Sequence, residues 1–150
     1  MTPVILVDEL RDYLKLVVEK YWFETNKKEV NKPPQVISGY LPAKKATDIP
    51  DFPFILVRLS DGEDADSSTV TVYVVIGTYS EDAQNGWRDP ANIVERVRQS
   101  LLKKRTLANR FRLEMPLKYE LPDEQPVPHW FGIITTKWTI PQLQEELIYD

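Results

Sequence analysis

The stretch TVTVYVVIGTYSEDAQNGWRDPANIVERVRQSLLKKR, residues 69–105, decides the fold. Val70, Val72, Val74 and Ile76 alternate with Thr71, Tyr73, Val75 and Gly77, the period of two that sends successive side chains to opposite faces of a sheet. Bulk on both faces predicts a central strand. A polar turn containing Gly86 follows, and then a helix is signalled. Asp89 is placed to accept hydrogen bonds from the free amides of the first turn, Pro90 suits a first helical position because no N–H is required there, and Glu95 lies toward the positive end of the dipole. Lys103, Lys104 and Arg105 stand at the negative end. Ile93, Val94, Val97 and Leu101 recur at helical steps, so one stripe of the helix can lie on the strand before it. A strand covered by its own following helix is the smallest unit with a core, and the remaining strands are expected to assemble on it.

A chain of 150 residues has the length of one ordinary domain and can bury a substantial share of its surface. Hydrophobic residues make up 42% and charged residues 28%, a balance that argues against wholesale disorder or a fibrous repeat. No apolar run approaches the roughly 20 residues of a membrane helix, and the first helical segment carries too much charge for a signal peptide, so a cytoplasmic protein is expected. The absence of cysteine excludes disulfides and thiolate metal sites. A net charge of −4 argues against overall attraction to nucleic acid. Twelve prolines against five glycines predict connections that are extended and stiff.

Outward from the central unit, residues 4–22 read as an amphipathic helix, with Val7, Leu10, Leu14, Val17, Val18 and Tyr21 on one face and Thr2 and Pro3 as cap and first position. Its polar face is not predominantly basic, so packing on the sheet is favoured over a membrane surface. Pro33 and Pro34 forbid helix and introduce a short strand over 35–41, an edge candidate. Residues 42–53 form a proline-rich loop with the basic pair Lys44 and Lys45. Residues 54–59 predict a strand, 61–68 an acidic turn with Asp61 and Gly62 at its start, and the two flanking strands a hairpin with a long charged tip. After the central helix, 111–115 predicts a short strand, 116–128 an irregular proline-spaced segment, and 130–140 a closing strand stopped by Pro141. The last residues, 142–150, read as a helical turn or two, or a tail ordered against a neighbour. The sum is an α+β fold: a mostly antiparallel sheet of four to five strands with two helices packed on one face.

Chemistry is sparse. His129, the only histidine, lies between Pro128 and Trp130 with no nucleophile-elbow serine in the chain to serve, so a structural or surface role is favoured. The run Asp61, Glu63, Asp64 and Asp66 does not space its carboxylates and glycine as a helix-flanked calcium loop requires. Gly77 and Gly86 are isolated, and no glycine-rich phosphate cradle is present. Arg96, Arg98, Lys103, Lys104, Arg105, Arg110 and Arg112 form a basic cluster, but three of them answer to the helix dipole and no aromatics interleave them. No cofactor or metal is expected. Trp22, Trp87, Trp130 and Trp138 cannot all be central, and an aromatic ring in a polar turn, as at Trp87, is what an interface anchor looks like.

Residues 52–64 (FPFILVRLSDGED), 72–102 (VYVVIGTYSEDAQNGWRDPANIVERVRQSLL) and 111–141 (FRLEMPLKYELPDEQPVPHWFGIITTKWTIP) carry a resemblance. Their order of motifs, an apolar strand with arginine, a GTYS strand end, a W-x-D-x-x-N helix start, an EQP-x-P-x-W turn and a closing strand with tryptophan, resembles the tail terminator, or minor tail, proteins of long-tailed bacteriophages and prophages. The resemblance implies a non-catalytic α+β subunit that caps the tail tube as a ring, usually a hexamer, within the host cytoplasm during assembly and in the virion tail afterwards. The implied partners are further copies of the chain, the major tail tube protein and the head-tail connector, with DNA met only as it passes through the ring. A closing ring needs two different patches on each subunit. Trp87, Trp130, Lys44, Lys45, Asp61, Glu63, Asp64 and Asp66 are the candidate assembly residues, on the sheet edge, the stiff loops and the acidic tip. A head-tail connector or neck subunit is the nearest alternative; a small-molecule or nucleic-acid binding domain is the alternative of a different class.

Overall fold

Leu6, Val7, Leu10, Leu14 and Val18 fall along one side of a helix, and in the computed structural model, which describes residues 2–24, 31–42 and 52–146, they are the buried face of α1 (Thr2–Val18). The helix stops short of the expected Trp22: the Tyr21 amide closes back on the Val18 carbonyl at 3.0 Å and the chain turns extended. There follow β1 (Phe23–Glu24), β2 (Asn31–Lys32), β3 (Gln35–Ser38), β4 (Phe54–Asp64), β5 (Ser68–Tyr79), α2 (Arg88–Lys103), β6 (Thr106–Leu107), β7 (Phe111–Glu120) and β8 (His129–Ile140).

β1 and β2 form a small antiparallel pair, and the other strands make one six-stranded sheet in the order β3-β4-β5-β8-β7-β6. The architecture is α+β, as the sequence predicts, but the sheet is mixed and larger than the expected four to five strands. β3 runs parallel to β4, Val36 opposite Ile55, while every other pairing is antiparallel. β5 is central, flanked by β4 and β8 along nearly its whole length. Its inward residues Val70, Val72, Val74 and Ile76 are buried in one core with Ile93, Val94, Val97 and Leu101 of α2 and the buried face of α1. Both helices lie on this face. α1 touches β3 and β4 near one edge and also β6 at the other, so the sheet curls around it.

The two helices are tied by Tyr13, whose hydroxyl lies 2.6 Å from the Ser100 Oγ. On the opposite face of the sheet, Phe52, Phe54 and Phe131 pack ring on ring, with centroids 4.9 Å apart for the first pair. Gly77 stands opposite Phe54 and Phe131 in the ladders, and a Cβ there would run into the Phe54 ring. The glycine in the middle of the central strand is therefore room made for aromatics.

Two strands outrun their predicted ends. β4 continues through Asp64, so most of the expected acidic turn is strand, and only residues 65–67 turn, held by the Ala65 amide on the Ser67 carbonyl at 3.0 Å. β7 continues past Pro116 to Glu120, its register with β8 shifting between Glu114 and Lys118. Residues 141–146 carry no regular structure, and the rest of the segment expected as a helical turn or two or as a tail ordered against a neighbour lies outside the described residues.

Candidate functional site

Three of the motifs quoted for the resemblance, GTYS, W-x-D-x-x-N and EQP-x-P-x-W, meet at one corner of the sheet, where β5 ends and β8 begins. β5 and β8 pair up to Tyr79 opposite His129, and the Ser80 amide then donates to the Pro128 carbonyl at 2.9 Å. The Trp130 indole N–H donates to the Ser80 carbonyl at 3.0 Å. Gly86 lies against the same indole so closely that a Cβ would collide with it. The GTYS strand end, the loop before α2 and the proline-rich turn before β8 are thus locked by one tryptophan.

Each arm of the corner also has its own internal bracing. Asp82 Oδ1 accepts the amides of Gln84 and Asn85, each at 3.0 Å, and its carbonyl accepts the Gly86 amide at 2.9 Å. Those amides, Asn85 first, hold the Asp82 carboxyl below its usual range. α2 then begins at Arg88, with Trp87 in the N-cap position and no side-chain cap from it, which replaces the start expected at Asp89 and Pro90. The helix is led in by backbone turns instead, Arg88 N–H to Asn85 O and Ala91 N–H to Trp87 O. On the other arm, Gln125 acts as a piece of strand: its Oε1 accepts the Phe131 amide at 2.8 Å while its Nε2 donates to the carbonyls of Phe131 and Pro122.

The expected assembly residues separate into three groups. Trp130 is only 6% exposed, so its ring fills the corner and offers no surface; this corrects the expectation of a surface anchor there. Trp87 is 43% exposed, with the Arg88 guanidinium 4.8 Å from its ring centroid, and is the aromatic the corner presents to solvent. Asp61, Glu63, Asp64 and Asp66 are exposed at the far end of the β4–β5 hairpin, a β5 length of about 35 Å away from the corner. Lys44 and Lys45 lie outside the described residues. The structure therefore brings Trp87 and Trp130 to one end of the sheet and the carboxylates to the other.

His129 is half-buried and stacked on Phe52 with centroids 4.5 Å apart, edge-on to Tyr79. Its surroundings are aromatic. Among the described residues no three histidine or acidic side chains gather as a metal site would require, and no helix is long and apolar enough to cross a membrane. The basic cluster is divided by local partners: Arg96 lies over Tyr21, Arg98 over Tyr119 and Lys104 over Tyr13, while Arg112 donates to Thr106 Oγ1 at 3.2 Å. Arg105, Arg110 and Arg112 fall together at the β6–β7 edge of the sheet.

Two further aromatics are exposed, Tyr40 without any signal in the sequence and Trp22 as one of the four tryptophans that cannot all be central. Tyr40 is 70% exposed with the Arg58 guanidinium 4.2 Å from its ring centroid, and Trp22 is 64% exposed beyond the end of α1. Gln125 was equally silent, since nothing in a run of prolines marks one amide as a strand substitute. Among known proteins, the chain matches no family model and no curated relative.

Proposed function

We propose that the chain is a structural subunit of a tailed bacteriophage or prophage, a tail terminator that closes the tail tube as a ring of copies and joins it to the head connector. The observation that carries this reading is the corner built by Trp130. The GTYS, W-x-D-x-x-N and EQP-x-P-x-W motifs, which are the substance of the resemblance, are parts of one hydrogen-bonded unit joined through Ser80, Gly86, Gln125 and Trp130. The two separated surfaces, Trp87 at one end of the sheet and the carboxylates of the hairpin at the other, suit a subunit that must hold different neighbours at once. Members of this family work by fit and make or break no bond, and no residue of the chain is assigned a catalytic role.

The test is genetic and visual. Deleting the gene from its phage or prophage and imaging the particles by electron microscopy should give headless tubes of uncontrolled length. Uniform tails joined to heads would overturn the reading.

A further inference from the structure

Five ladder partners lie in one row across the sheet: Glu63 on β4 opposite Thr69, Thr69 opposite Thr139, Thr139 opposite Arg112, and Arg112 opposite Thr106 on β6. Residues paired across antiparallel strands project to the same face, so Glu63 and Arg112 point the same way from opposite margins of one sheet. Four strand spacings separate the ends of the row, about 19 Å along the sheet. One margin is acidic at that level, with Asp61, Glu63 and Asp64; the other is basic, with Arg105, Arg110 and Arg112. Among the described residues, the ion pairs of Arg11 with Asp8 and Asp12 and of Arg98 with Glu95 lie away from both margins.

The acidic margin is also open. β3 accompanies β4 only as far as Val57, where the Gly39 amide donates to the Val57 carbonyl at 2.8 Å. From Leu59 to Asp61 the register with β5 shifts, and residues 59–64 have no strand on their outer side among the described residues. Between Pro3, Leu59, Val70 and Ile140 a shallow cleft of about 250 Å³ runs beside that margin. At the other side of the sheet, β6 is a two-residue strand with Thr106 exposed and, among the described residues, no strand beyond it. Edges are ordinarily kept apart by charge of one sign, which repels a second copy. Opposite signs on the two margins of one sheet do the reverse, attracting a second copy in a single head-to-tail direction.

We propose that these margins bind each other between copies: the open β4 edge of one copy, residues 59–64, receives the β6 edge of the next, with Arg105, Arg110 and Arg112 meeting Asp61, Glu63 and Asp64. The contact is heterologous, so an open series of copies always has one free margin of each kind, at its two ends, and it continues until it closes. This deepens the ring reading above by naming the surfaces through which copies join.

The chain has no cysteine, which permits a direct test by cross-linking the full-length protein. Glu63→Cys and Thr106→Cys copies, mixed under mild copper-phenanthroline oxidation, should form a mixed disulfide on the order of tenfold faster than Glu63→Cys mixed with Glu81→Cys, which lies past the far end of β5. Arg112→Glu in the Thr106→Cys copy should remove that advantage, and Asp61→Lys in the Glu63→Cys copy should restore it. A rate equal to the control, or one indifferent to both charge reversals, overturns the proposal. Overlong tubes in the deletion with no specific cross-link would sink the edge pairing and leave the terminator reading standing. A specific cross-link with uniform tails would do the opposite.

Discussion

The indole N–H of Trp130 donates to the carbonyl of Ser80 across fifty residues of chain, and the ring that makes this bond occupies the space left by the missing side chain of Gly86. Bond and close contact are separable by mutation. Trp130→Phe keeps an aromatic ring but leaves the Ser80 carbonyl without its donor, at an expected cost of about 1–3 kcal/mol. Gly86→Ala forces a methyl against both the indole and the Asp82 carbonyl, 2.8 Å from where its Cβ would stand, and overpacking of this kind costs about 1–3 kcal/mol. The two changes act on one contact, so in urea denaturation the double variant should lose less than the sum of the single variants. Full additivity would mean that the ring and the loop are not coupled.

Thr136 and Thr78 are both fully buried on the same face of the sheet, and they should respond oppositely to valine. Thr136 Oγ1 donates to the Val72 carbonyl at 2.7 Å and receives the Trp138 indole N–H at 2.8 Å. Thr136→Val therefore strands a buried indole donor, costing about 1–3 kcal/mol. Thr78 Oγ1 has no hydrogen-bond partner among the described residues. Thr78→Val removes a buried hydroxyl that gains nothing, and its urea midpoint should match or exceed that of the parent chain. A Thr78→Val loss as large as that of Thr136→Val would show that the hydroxyl has a partner.

What could be read from residues alone follows from how local the signal is. β5 and α2 were legible because their periods of two and three to four residues are written inside single segments, and the buried residues are the ones those periods select. The parallel β3 was legible as an edge but not in its direction, because nothing in four residues specifies a partner reached only after a long connection. Pro116 read as a strand end because proline removes a ladder donor. The strand passes through it where the register with β8 is already shifted. Asp61 and Gly62 read as a turn for the same kind of reason, local turn chemistry overridden by pairing with Thr71 and Val70. Trp130 was misread as surface because its burial depends on a glycine forty-four positions earlier, visible only when the two meet.

Tyr13 and Ser100 join the two helices, through the 2.6 Å contact of their hydroxyls and a further 3.3 Å bond from the tyrosine to the Ser100 carbonyl. Tyr13→Phe retains the ring over which Lys104 sits, so what is lost is the hydrogen bonding, at about 0.5–1.5 kcal/mol. Ser100→Ala should cost less, since the carbonyl remains for the tyrosine to use. A double-mutant cycle should return a coupling on the order of 0.5 kcal/mol or more, and zero coupling would place the helix–helix tie elsewhere.

Asp82 gives the loop before α2 a pH dependence of definite sign. Its carboxyl accepts the amides of Asn85 and Gln84, which favour the ionised form and depress the folded pKa below the unfolded value of about 3.9. A depressed carboxyl contributes stability that is fully present above the unfolded pKa and is lost as pH falls through the folded one. The loss should therefore appear below about pH 4 and be absent near neutrality. Asp82→Asn keeps one acceptor oxygen for the same amides but cannot titrate, so between pH 6 and pH 3 its urea midpoint should fall by less than that of the parent chain. Hydrogen exchange at the Gln84 and Asn85 amides, corrected for intrinsic rates, should show the same contrast locally: weaker protection at low pH in the parent and little change in the variant. Equal pH dependence in the two proteins would mean that the carboxylate braces nothing in the native loop.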